Sequence, residues 1–329
     1  MRGVLGALVV ACGAGLACGK GSPLPPPPAG GEETFDSGTT VTHDASGEGA
    51  DGATPPRDAS VVDAGLPERT LFVGNSFTYT NNLPGMYGAL AAPVAPGQVA
   101  PMVASVAYGA YTLTQHLADA QGTGPNPQLA TLLGTGDAGH VRWSHVLLQE
   151  QSQIPGFALS NAQRMSSMSS TVSLSGYVAA TGATTVLLMT WGYAKGDPTN
   201  PTIFPDYPTM QSLLTTGYEQ MAQAVATAGH AVKVAPAGLA FQAVYQREKT
   251  MGQDPLASGS LFLQLYGPDF IHPAVPGTFL AACVVTATIY GVDPTTLTGS
   301  VAGIDAATQL VLETAARDAV AAQNAMPAP

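Results

Sequence analysis

The chain has 329 residues, 45% of them hydrophobic and only 10% charged, with 11 Lys and Arg against 22 Asp and Glu and a formal net charge of −11. So few cations in an acidic chain exclude a nucleic-acid partner, because phosphate binding needs a clustered basic patch. The length suits one large domain or two modest ones with a sizeable core, and past the N-terminus no apolar run is long enough for a spanning helix.

The first predicted element is a targeting segment, residues 1–18. Arg2, the apolar stretch Val4 to Val10, and then small residues with Cys12 and Cys18 give the three regions of an export signal. Val9-Val10-Ala11-Cys12 and Gly15-Leu16-Ala17-Cys18 both resemble a bacterial lipobox, and Cys18 is preferred because it leaves the longer apolar region. The expected location is the bacterial cell envelope, anchored by lipid, with plain secretion as the alternative. Residues 19–67 open on Pro-Leu-Pro-Pro-Pro-Pro at 23–28 and continue in Gly, Ser, Thr, Ala and Asp, a composition that buries too little surface to offset chain entropy. They read as a disordered tether. The tether and signal hold eight of the 22 acidic residues and three of the basic ones, so residues 68–329 carry 14 acids against 8 bases. Cys283 alone remains in that body, as a small buried hydrophobe.

From Glu68 onward short apolar runs alternate with helical patterns. Strands are expected at Thr70–Gly74, Ala100–Val106, His145–Gln149, Thr184–Thr190 and Ala231–Ala235, each apolar on both faces as in a covered parallel sheet. Helices are expected at Leu83–Ala92, Leu113–Ala120, Ala158–Thr181, Met210–Ala228, Val275–Tyr290 and Asp305–Asn324. The alternation predicts a three-layer, doubly wound α/β domain, 68–329, with a mostly parallel five-stranded sheet. Ligands of such sheets bind beyond the carboxyl ends of the strands, where Ser76 follows the first strand.

Two segments carry the chemistry. Gly74-Asn75-Ser76-Phe77-Thr78 ends an apolar run in a serine, and Asp269-Phe270-Ile271-His272-Pro273 sets a carboxylate three residues before a histidine. A serine hydroxyl needs a base to become a nucleophile, and the base needs an orienting acid. Ser76, His272 and Asp269 supply those three roles, although Ser76 alone would also serve as a helix cap and Asp269 as the cap of the helix after Pro273. Asn75 is assigned to stabilising the turn. His116, His140, His145 and His230 show no ligand spacing, so no metal is expected, and no organic cofactor either. Glu150 finds no partner in the sequence.

Those two segments resemble blocks I and V of the SGNH, or GDSL-like, hydrolase superfamily, with Asn75 where the better-known members have Asp. The resemblance covers about residues 69–292. Val103 to Leu117 is similar to block II, whose glycine donates a backbone N–H to the oxyanion; Gly109 takes that place, or Ala110 after a one-residue slip. Block III departs from the family: Leu148-Gln149-Glu150-Gln151-Ser152 stands for Gly-x-Asn-Asp, as in a divergent subgroup with glutamine. Ala235 to Ala240 and Thr190 to Tyr193 fit that subgroup too. The resemblance implies the flavodoxin-like SGNH fold and an ester hydrolase. Its oxyanion donors would be the N–H of Ser76, that of Gly109, and the amide of Gln149, with Gln151 a weaker alternative. Trp191 and Tyr193, beside Phe204 and Tyr207, would form an aromatic wall for a sugar or acyl group, or simply local core. The expected substrate is a small ester or an acetylated carbohydrate. A lipase or thioesterase, an acyltransferase on the same triad, and a non-catalytic carbohydrate-binding module are the alternatives.

Overall fold

The computed structural model describes residues 68–134, 142–297, 299 and 301–326. The expected export signal with Cys12 and Cys18, and the expected tether, residues 19–67, lie outside the described residues. The first half of the domain runs β1 (Arg69–Gly74), α1 (Ser76–Tyr79), α2 (Leu83–Ala91), β2 (Met102–Ala107), α3 (Leu113–Ala120), α4 (Gln128–Leu132), β3 (His145–Leu148) and α5 (Ala162–Ala180). The second half runs β4 (Thr184–Leu188), α6 (Tyr207–Thr227), β5 (Val232–Ala235), α7 (Ala237–Thr250), α8 (Leu261–Gln264), α9 (Val275–Tyr290) and α10 (Ala306–Asn324). No helix among the described residues is long and apolar enough to cross a membrane.

The five strands form one sheet in the order β2-β1-β3-β4-β5, every neighbouring pair parallel. Alternate strand residues feed two cores, as a period of two requires. Phe72, Leu147, Val186 and Leu188 join the core beneath α2, α7, α9 and α10. Leu71, Val73, Val146, Leu148 and Leu187 join the core beneath α3, α4, α5 and the C-terminal half of α6. Two hydrophobic faces need two helical layers, and the three-layer fold follows.

Two sequence expectations are corrected. Strand β2 is an edge strand rather than one covered on both faces: Met102 is 49% exposed and Ser105 is also exposed. Helix α7 has no counterpart among the expected helices, since the proline at 236 and the glycine at 238 weaken the helical pattern there. Pro236 instead sits at the N-cap, and Ala240, Phe241, Val244 and Glu248 turn to the interior with helical spacing. Helix α9 is apolar nearly all round and buried continuously from Gly277 to Ala287, with Cys283 at 0% exposure.

The chain passes from β1 to β2 on one side and then crosses to β3 on the other. Such a reversal opens a crevice at the carboxyl ends of β1 and β3. Gly74 to Ser76 and Gln149 to Gln151 leave the sheet at that crevice.

Candidate active site

The turn after β1 is built by its own side chains. Asn75 caps α1: its Oδ1 accepts the N–H of Phe77 at 3.1 Å, while Nδ2 donates to the carbonyl of Tyr111 at 3.0 Å. Ser76 therefore becomes the first residue of α1. Gly74 is required by space, since a Cβ there would lie 2.6 Å from Gln149 Oε1.

His272 reaches the same place from the other end of the chain. Its Nε2 lies 2.8 Å from Ser76 Oγ, and its Nδ1 lies 2.5 Å from Asp269 Oδ2. Asp269 Oδ1 also accepts the N–H groups of Ile271 and His272, at 3.0 Å each. Asp269 thus caps its own loop rather than α9, whose N-cap is Ala274. Partial burial pulls the Asp269 pKa up, but the hydrogen bonds from the His272 ring and the two N–H groups outweigh it and leave the carboxyl below its ordinary range. An ionised Asp269 fixes the proton on Nδ1 and leaves Nε2 to accept from the Ser76 hydroxyl. This is the hydrogen-bond order that serine activation needs.

The 269–273 loop is tied down on three sides. Trp191 Nε1 donates to Ile271 O at 3.2 Å, Ala194 N–H to Phe270 O at 2.9 Å, and Asn81 Nδ2 to Pro273 O at 2.8 Å. Phe270 holds φ +61 within it, and the exposed Lys195 ammonium sits 3.6 Å from the centre of the Phe270 ring.

Among the described residues, the backbone N–H groups of Ser76, Gly109 and Ala110 meet no acceptor. Ala110 has φ +57, which turns the 108–112 loop sharply after β2. Gln149 is placed differently from its expected role as an oxyanion donor. Its Oε1 accepts the N–H of Asn75 and the hydroxyl of Thr78, both at 2.9 Å, and its Nε2 donates to the carbonyl of Glu150. The orientation is fixed, because a backbone N–H can only donate. At 1% exposure Gln149 braces the nucleophile turn from beneath. Of the two readings of the aromatic group, binding wall or local core, the burial supports core. Trp191 is 0% exposed and stacks between Phe77 and Phe241, at 4.9 and 4.5 Å between ring centres. Tyr193 is buried against Ser152 and Gln153, and Phe204 and Tyr207 are core. Their apolar area is worth more inside than at a wet site edge.

Sequence reasoning missed Asn81, Thr78, His116 and Glu150 as parts of this assembly. Only Asn81-Asn82 carried a local signal, since paired asparagines favour left-handed turns, and both have positive φ. A cavity of ≈ 810 Å³ beside β5, lined by residues including Lys233, Thr288, Tyr290 and Gln323, contains none of the triad residues.

The chain matches no protein-family model and no curated protein sequence. Among solved structures it is similar to a proposed SGNH hydrolase from Slackia heliotrinireducens. The two are 25% identical with a TM-score of 0.50, over 68% of this chain and 100% of that one. It is also similar to a DUF4886 family protein from Bacteroides uniformis, at 16% identity and a TM-score of 0.56, over 80% of this chain and 98% of that one. The second match speaks for the fold alone. Together with the all-parallel sheet, the first relates this chain to the SGNH hydrolase superfamily, a superfamily of ester-bond hydrolases.

Proposed function

We propose that the protein is a serine esterase acting on carboxylic esters with a small acyl group, O-acetyl groups on carbohydrate foremost. The observation that carries this is the unbroken chain of hydrogen bonds from Asp269 through His272 to Ser76. Ser76 Oγ attacks the ester carbonyl and passes its proton to His272 Nε2, forming a tetrahedral oxyanion near the N–H groups of Ser76, Gly109 and Ala110. Collapse breaks the bond to the alkoxide, which leaves with the proton from His272. Water, deprotonated by the same nitrogen, then releases the acid and regenerates Ser76. The His272 and Asp269 side chains are 38% and 43% exposed, and Trp191 and Tyr193 are withdrawn into the core. An open site of that kind favours a bulky, hydrated alcohol portion over a long acyl chain. Export and lipidation at Cys18 belong to the same proposal.

The test is hydrolysis of 4-nitrophenyl acetate through octanoate by wild type and Ser76→Ala, followed by acetylated xylan. Rates that fall with chain length and disappear in the variant support the reading. Equal rates for the two proteins would falsify it and bring the non-catalytic carbohydrate-binding module forward. Loss of palmitate labelling on Cys18→Ala, but not on Cys12→Ala, tests the anchor.

A further inference from the structure

Glu150 has no part in the triad, yet it is fully buried at the crevice where the site lies. A buried carboxylate is costly unless its oxygens are engaged, and an apolar residue would avoid the cost. One oxygen is engaged specifically, while Oε2 is buried without a hydrogen-bond partner among the described residues. Oε1 accepts the N–H of Leu113, first residue of α3 and 37 positions away, at 3.0 Å, and the N–H of Gln151 at 2.7 Å. The backbone carbonyl of Glu150 meanwhile accepts from Gln149, the residue that holds Asn75. One residue thus touches both the brace of the nucleophile turn and the start of α3.

Two further contacts hold this stretch, one on α3 and one on the loop before it. His116 donates its Nε2 proton to the carbonyl of Gly74 at 2.8 Å, and Asn75 Nδ2 holds the carbonyl of Tyr111. The 108–112 loop starts where the N–H of Tyr108 donates to Gly74 O and ends at Leu113, and it carries the left-handed Ala110 and the N–H groups of Gly109 and Ala110, unpartnered among the described residues. A loop held in a sparsely populated conformation stays there only if its ends are over-determined. Leu113 is one of those ends.

We propose that Glu150 is a positioning residue for the oxyanion: by pinning Leu113 it holds the N–H groups of Gly109 and Ala110 where the tetrahedral intermediate forms. This rests on the esterase reading above. Burial pushes the Glu150 carboxyl up, against the Ser167 hydroxyl, the N–H groups of Gln151 and Leu113, and the charge of Arg164. Tyr218 is the other titratable group facing it. The N–H groups of Leu113 and Gln151 need only an acceptor oxygen, which a neutral amide also supplies.

The experiment compares wild type, Glu150→Met and Glu150→Gln on 4-nitrophenyl acetate, with methylboronic acid as a tetrahedral mimic captured by Ser76. Glu150→Met leaves two N–H groups without an acceptor; kcat should fall by about 10- to 100-fold with KM within about twofold, and boronate affinity should fall in parallel. Glu150→Gln retains an acceptor oxygen and should stay within about threefold of wild type. If Glu150→Met does not fold, Glu150→Asp withdraws the carboxylate by one methylene and should show the same kcat-only loss at smaller size. Wild-type kcat and boronate affinity in the folded Met or Asp variant overturn the proposal, as does a loss in KM alone. The esterase reading itself falls only if wild type hydrolyses no ester and takes up no fluorophosphonate, so the two failures are distinct.

Discussion

Gln149 holds Asn75 by its backbone: the amide oxygen of one accepts the N–H of the other at 2.9 Å, across the gap between β3 and β1. The residue ahead of Ser76 is thus anchored to a neighbouring strand, and the same oxygen takes the Thr78 hydroxyl from the turn beyond. Replacement by Gln149→Leu removes the acceptor and keeps the volume. A buried N–H left without a partner costs about 1–3 kcal/mol, and the urea midpoint should drop accordingly. The turn should loosen with it, lowering kcat more than it raises KM; unchanged kinetics would show that Ser76 does not depend on this brace.

Asp269→Asn tests the acid. The amide can present an N–H₂ to His272 Nδ1, which favours the ring with its proton on Nε2, the nitrogen that must accept from Ser76. The expected loss in kcat at pH 7 is about two to four powers of ten, with little change in thermal midpoint because the Asp269 side chain is exposed and its amide oxygen can still accept the loop N–H groups. A variant within a factor of three of wild type would remove Asp269 from the mechanism.

Trp191 links stability to the site. It is fully buried between Phe77 and Phe241, and it carries a hydrogen bond to the Ile271 carbonyl in the loop that presents His272. Trp191→Ala should cost about 3–5 kcal/mol. Trp191→Phe fills most of the space and loses the N–H, so it should keep the fold and reduce kcat. Tighter or weaker binding of oligosaccharide in Trp191→Phe, at unchanged kcat, would instead return Trp191 to the substrate.

His116 sets an acid limit on folding. Burial lowers its pKa, outweighing the hydrogen bond to the Gly74 carbonyl and the nearby Asp119 charge. Its Nδ1 is buried without a hydrogen-bond partner among the described residues. Below about pH 6.5 the unfolded chain takes up a proton there that the folded chain refuses until a lower pH, so this group removes stability as pH falls through and below about 6.5. His116→Gln can still donate to Gly74 O and does not titrate. Its urea midpoint should therefore change less than that of wild type over that range; identical profiles would mean that His116 titrates normally.

The parts legible in the sequence are those with a local cause. Strand β1 and helix α9 announce themselves by apolar runs, and the ends of α3 and α9 fall where they were expected. The segments Gly74–Thr78 and Asp269–Pro273 come together as their chemistry suggested. What was not legible depends on who faces whom. Gln149 reads equally well as donor or brace until the N–H of Asn75 is seen beneath it, and Glu150 has no partner in sequence because Leu113 offers only a backbone N–H. Trp191 near a strand end suggests a binding wall, and only its stack on Phe241 places it in the core.

The hydroxyl of Ser76 and the ring of His272 meet across 196 positions of chain. On the proposed mechanism a ribosome makes the nucleophile long before it makes the base, and no product that stops short of residue 272 could turn over an ester. Closing so long a loop is slow and comes late in folding. Turnover by this triad would accordingly report on assembly: it would begin only when the Ser76 and His272 segments have both been synthesised and have docked, so that a shorter or half-folded chain would be chemically silent.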